Sequence, residues 1–133
     1  MASVRKEFVI AAPVERVWAA LADFGAVHTR LAPGFVTDCR LDDTGARIVT
    51  FGNGAVAREV MVDRDAASRR LVYAIVSDRL TQHSASAQVF AEPDGRSRFV
   101  WIADFLPNEI AGYFDQQMEL GATVMKAALE KGD

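Results

Sequence analysis

Half of the 133 residues are hydrophobic, a quarter are charged, and the net charge is −3. That length suits one domain, residues 1–133, able to bury about two-thirds of its unfolded surface without staples, and the mildly acidic balance argues against a nucleic-acid partner. With Cys39 as its one cysteine the chain cannot form an internal disulfide, and no Cys/His cluster has zinc spacing.

Neither a metal nor a cofactor is expected. The apolar run Phe8 to Ala12 is too short for a secretion signal, and no stretch approaches a membrane span. A cytoplasmic location is therefore expected.

Taken in order, Val4, Lys6, Phe8 and Ile10 alternate with Arg5, Glu7 and Val9, which predicts a first strand whose inner face carries Phe8. Pro13 suits a first helical turn, where its missing N–H would lack a partner anyway, and Val14, Val17, Trp18 and Leu21 supply the apolar stripe. That helix ends near Asp23-Phe24-Gly25. A second short helical piece, Ala26 to Leu31, stops at Ala32-Pro33-Gly34. From Phe35 the pattern changes to period two and holds until Pro107, predicting strands over 35–41, 47–51, 56–62, 71–76, 81–90 and 99–106. Asn53-Gly54 predicts a two-residue type I′ hairpin turn, in which both central positions need positive φ.

The segment from Asn108 to Lys131 reads as one long amphipathic helix of roughly 35 Å. Ile110, Phe114, Met118, Gly121, Met125 and Leu129 recur at spacings of three and four, and Tyr113, Gln117, Leu120 and Val124 widen the stripe. Asn108 is a suitable N-cap and Gly132 a suitable end. So broad a buried face needs a broad sheet across it. The predicted fold is α+β: a seven-stranded curved antiparallel sheet wrapped around a long C-terminal helix, with two short helices after the first strand.

Alternation also assigns sides. Phe99, Trp101, Ala103 and Phe105 share an inner face against Arg98 and Asp104; His83, Ala85, Ala87 and Val89 oppose the polar Gln82, Ser84, Ser86 and Gln88; Leu71, Tyr73 and Ile75 also point inward. Asp104 is thus outward. Cys39 reads as a small buried hydrophobe and His28 as solvent-exposed.

The order of elements carries specific residues with it: Ala12-Pro13-Val14-Glu15-Arg16-Val17-Trp18, Leu21, Asp23-Phe24, Pro33-Gly34, Arg47, Gly54 to Glu59, Arg70 to Tyr73, Trp101 to Phe105, and Gly121. In these the chain resembles the helix-grip proteins of the START/Bet v 1-like superfamily, and within it the polyketide cyclase/dehydrase-like (SRPBCC) group of small bacterial proteins. The resemblance implies a hydrophobic cavity between the concave sheet and the long helix. It also puts Glu59 and Met61 into that cavity, where periodicity alone would bury Val56, Val60 and Val62 instead. Two family features are replaced: His28 to Ala32 stand where an aromatic usually precedes Pro33-Gly34, and His83 stands for a tyrosine.

Two functions follow from this reading. The first is binding of a small, largely hydrophobic organic molecule, as a carrier, sensor or sequestering protein. The residues expected to touch it are Arg47, Phe51, Glu59, Met61, Tyr73, His83, Trp101, Phe105, Phe114, Gln117, Met118 and Gly121. The second is a cyclase, aromatase or dehydratase acting on a polyketide-like substrate, with His83 or Glu59 moving a proton near neutral pH and Tyr73 or Arg47 holding an enolate oxygen. Placing Glu59 inward leaves Val60, Val62, Val72, Ala74, Val76, Val100 and Ile102 on the convex side, which suggests a homodimer through that outer face.

Overall fold

The period-two segments form one antiparallel sheet, and a computed structural model places residues 1–132 of the chain around it. Its strands are β1 (Ala2–Ile10), β2 (Val36–Leu41), β3 (Arg47–Phe51), β4 (Val56–Asp65), β5 (Arg70–Val76), β6 (Gln82–Ala91) and β7 (Ser97–Leu106). They lie in the order β1-β7-β6-β5-β4-β3-β2, so the six later strands meander and the first docks on the last. Between β1 and β2 come α1 (Val14–Ala22), a 3₁₀ turn at Phe24–Ala26 and a π-helical turn at Val27–Leu31. The chain closes with α2 (Ala111–Lys131) lying on the concave face. This is the helix-grip arrangement.

Burial follows the alternation. Val4 and Ile10 of β1, His83 to Val89 of β6 at every second residue, and Phe99, Ala103 and Phe105 of β7 are buried. Phe8 stacks on Phe99 with centroids 5.1 Å apart, and Phe105 stacks on Phe114 of α2 at 4.4 Å. Among edge strands, β1 is shielded by α2. Lys126 Nζ donates to the Val9 carbonyl at 2.7 Å, Glu130 accepts from the Ala11 N–H at 2.8 Å, and Lys6 lies 2.9 and 3.2 Å from Asp115 and Glu119.

Several expectations change. The β3–β4 connection is a three-residue loop, Gly52-Asn53-Gly54, closed by the Gly54 N–H donating to Phe51 O at 2.9 Å and the Phe51 N–H donating to Ala55 O at 2.8 Å. Only Gly54 has positive φ, at 88°, so this is a turn ending in a left-handed residue. Asn108 does not cap a helix; it sits inside a 3₁₀ turn, Asn108–Ile110, ahead of α2, with no side-chain cap bond at either start. Tyr113 and Leu120, placed in the widened stripe, are 51% and 52% exposed; Ala122 is buried instead, beside Lys6 and Phe8. On the convex face Val62 and Val76 are exposed, Val60, Val72, Ala74 and Ile102 half-buried, and Val100 buried. No helix among the described residues is long and apolar enough to cross a membrane.

Candidate ligand cavity

On β6 and β7 the sheet's inner face includes a patch of alanines. Ala85, Ala87 and Ala103, all buried, sit side by side on β6 and β7, where Ala85 pairs with Ala103 and Ala87 with Trp101. Side chains this short cannot reach α2. A cavity of about 320 Å³ remains between sheet and helix, within the range typical of small-molecule sites. Its wall is largely apolar, including Val27, Leu31 and Phe35 from the segment after α1, and Phe114 and Met118 from α2. The exposed lining residues mark its mouth: Ala55 and Val56 after the β3–β4 loop, Ser77 and Arg79 in the β5–β6 turn, and Tyr113 on α2.

Four of the polar side chains that line it, Arg47, Glu59, Tyr73 and His83, are buried in the wall. Arg47 and Glu59 face each other across β3 and β4; Arg47 Nε donates to Glu59 Oε1 at 2.8 Å, and Nη2 lies in ion-pair contact with the same oxygen at 2.8 Å. Nη1 donates to the Phe24 carbonyl at 3.3 Å, and the guanidinium lies 4.1 Å from the Phe24 ring centroid and 5.2 Å from that of Tyr73. Their side chains are only 6% and 7% exposed, and such burial is tolerable because each charge has the other. Glu59 Oε2 accepts no hydrogen bond from the described residues, leaving an acceptor at the wall.

Tyr73 Oη accepts a hydrogen bond from the Trp101 indole N–H at 3.0 Å. Burial, reinforced by the Glu59 charge, pushes its phenol pKa well up, so Tyr73 stays protonated and its own O–H remains available to donate.

His83 owes its state to a gap in the ladder. The β5–β6 pairing ends at Tyr73–Ala85, which frees the Ile75 N–H, and His83 Nδ1 accepts it at 3.0 Å. An Nδ1 holding a backbone N–H carries no proton, so the neutral ring has its hydrogen on Nε2. Burial lowers the His83 pKa to about 4, with Asp104 opposing weakly. His83 is therefore a fixed hydrogen-bond donor at neutral pH, and the proton exchange near pH 7 expected of it is not available.

This state carries a pH signature. The folded pKa of about 4 lies below the ordinary 6.5, so between these values the unfolded chain binds more protons and stability falls as pH drops. We expect a loss of roughly 2–3 kcal/mol across that window. His83→Gln should flatten this slope in urea unfolding at stepped pH; an unchanged slope would mean that His83 is already solvated and charged.

Of the residues expected at the ligand, Arg47, Phe51, Glu59, Tyr73, His83, Trp101, Phe114, Gln117 and Met118 line the cavity, whereas Met61, Phe105 and Gly121 do not. Met61 is half-buried beside Tyr73. Phe105 is fully buried behind Phe114. At Gly121 a Cβ would come within 3.0 Å of Phe35 and 3.2 Å of Trp101, so its small size admits those rings as wall. His28 is half-buried, not exposed, with Nδ1 shielded and unpartnered among the described residues. Asp104 is on the outer face, across from Ser84. Cys39 is buried, its Sγ 3.9 Å from the Phe24 carbonyl, and burial raises its pKa. Phe35, ahead of β2, and Ser77 and Arg79, in the turn between β5 and β6, also line the cavity; a turn has no periodicity by which sequence could assign its side chains to a face.

Among curated proteins none matches the chain. Among solved structures, a protein from Thermobifida fusca is 30% identical with a TM-score of 0.79, over 98% of this chain and 93% of that one. A START superfamily protein from Mycobacterium smegmatis is 14% identical with a TM-score of 0.76, over 97% of each chain. Norcoclaurine synthase from Thalictrum flavum, in complex with dopamine and hydroxybenzaldehyde, is 14% identical with a TM-score of 0.76, over 99% of this chain and 88% of that one. The latter two likenesses are of fold alone, the helix grip described above. The family model for polyketide cyclase/dehydrase and lipid transport matches residues 1–132. The chain belongs to the polyketide cyclase/dehydrase and lipid transport family.

Proposed function

We propose that the protein binds a small, largely apolar organic molecule in the cavity between sheet and α2, with a carbonyl or similar acceptor directed at His83 Nε2–H. The observation that carries this reading is the engagement of His83 Nδ1 by the Ile75 N–H, which leaves the ring as a donor. Apolar walls supply most of the affinity, and one oriented donor supplies selectivity. A pair of isosteres tests it: 2-acetylnaphthalene and 2-ethylnaphthalene, titrated by fluorescence. The ketone should bind about fivefold more tightly, the worth of one hydrogen bond, and His83→Phe should erase that ratio. Equal affinities for the wild-type protein would overturn the assignment.

A second reading, an enzyme of cyclase or dehydratase type, draws support from Glu59 Oε2, the unengaged carboxylate oxygen in the same wall. There Glu59 would take a proton next to a carbonyl polarised by His83 Nε2–H. Its other oxygen, Oε1, is held by Arg47 inside the wall, which fixes the carboxylate as part of the lining, and binding is therefore preferred. If the wild-type protein turns over a polyketone analogue while Glu59→Gln still binds it and does not, the enzymatic reading replaces the first.

A further inference from the structure

The electrostatics of the cavity are uneven. Three charged residues line it: Arg47, Glu59 and Arg79. The first two neutralise each other inside the wall. Arg79, exposed at the mouth, is fixed through its backbone N–H, which donates to Ser77 Oγ at 3.2 Å. Among the described residues its guanidinium has no carboxylate within ion-pair distance. The lining thus carries one net positive charge, and that charge sits at the open end.

The hydroxyls at the mouth point to the same chemistry. Ser77 Oγ uses an acceptor position on the Arg79 N–H. Tyr113 Oη accepts from Asn53 Nδ2 at 3.2 Å. Each therefore has its own O–H left to give. A guanidinium and two hydroxyls are donors, and no carboxylate lines the mouth beside them.

From this we infer that the ligand is an amphiphilic monoanion, a carboxylic acid or comparable oxyacid, whose apolar body fills the cavity and whose acidic head stays at the mouth against Arg79, Ser77 and Tyr113. This rests on the binding reading above and adds the charge class of the ligand. A head placed at the mouth keeps most of its hydration, avoiding the large cost of burying a carboxylate. An ammonium there would meet the like charge of Arg79 and no carboxylate to pair with.

The test uses two acid and alcohol pairs, decanoate with decan-1-ol and 2-naphthoate with 2-naphthalenemethanol, titrated at pH 7 in low salt. The acids should bind about fivefold more tightly, a gain suited to a partly solvated charge pair, and the preference should shrink as salt is added. Arg79→Ala should remove the preference and leave alcohol affinity unchanged; Arg79→Lys should keep part of it. Arg98→Ala, on the outer face beside Glu7 and Glu92, changes net charge equally and should have no effect. If acids and alcohols bind the wild-type protein equally, or if Arg98→Ala acts as Arg79→Ala does, the anionic head is wrong while cavity binding stands. If neither acids nor alcohols bind, cavity binding itself fails.

Discussion

Glu59→Leu alone is expected to destabilise the protein by about 3–5 kcal/mol, because it strands the Arg47 guanidinium in the wall with its charge uncompensated. Arg47 has nowhere else to go. Two of its nitrogens are spent on Glu59, the third reaches only the Phe24 carbonyl, and Phe24 and Tyr73 lie against the guanidinium. Arg47→Met should cost a comparable amount by isolating the carboxylate. The double variant Arg47→Met/Glu59→Leu should recover most of the loss, since two apolar side chains across β3 and β4 cost no desolvation. Urea unfolding of the four proteins at pH 7 closes this cycle. Losses below about 1 kcal/mol for both single variants would mean that water reaches the pair and that it behaves like a surface ion pair.

The same pair shows where sequence reading succeeds and where it stops. On β6 one face is small and the other polar, and on β7 the aromatic face opposes one bounded by Arg98 and Asp104, so period two alone assigns the inner residues, and His83 and Trp101 come out correctly. On β4 both faces are apolar: Val56, Val60 and Val62 compete with Ala57, Glu59 and Met61. A local pattern favours the valines, because it prices Glu59 as a lone buried charge. The register that sets Arg47 opposite it removes that price, and register is a property of two strands. Only the family resemblance put Glu59 inside.

The remaining differences have similar causes. Tyr113 and Leu120 lie on the edge of a helical stripe whose width depends on how the sheet curves, and the sheet does not reach them. The state of His83 depends on where the β5–β6 ladder stops, which no alternation encodes. Arg79 sits in a turn, where a charged residue carries no pattern at all; its place at the mouth comes from the fold, which brings the β5–β6 turn and Tyr113 of α2 to the same cavity lining. The architecture was therefore legible from periodicity, and the cavity's existence from resemblance. Its chemistry emerged from pairings between distant segments.

Ala103→Phe is expected to abolish ligand binding, lowering affinity for 2-naphthoate and 2-ethylnaphthalene by about 100-fold or more, or roughly 2.7 kcal/mol, without weakening the fold. Ala103 is 2% exposed and lines the cavity on the sheet's inner face, so a phenyl ring there enters the space a ligand would occupy. In a packed core such a change overpacks and destabilises by about 1–3 kcal/mol. Over an open cavity of about 320 Å³ it should fill, and filling gives a gain of about 0.5–2 kcal/mol. The sign of the stability change thus reports whether the space is real, and the affinity reports whether it is used. A stabilised variant that still binds both probes would place the binding site elsewhere. A strongly destabilised variant would show that sheet and helix already touch, so that the alanines on β6 and β7 are there for close packing alone.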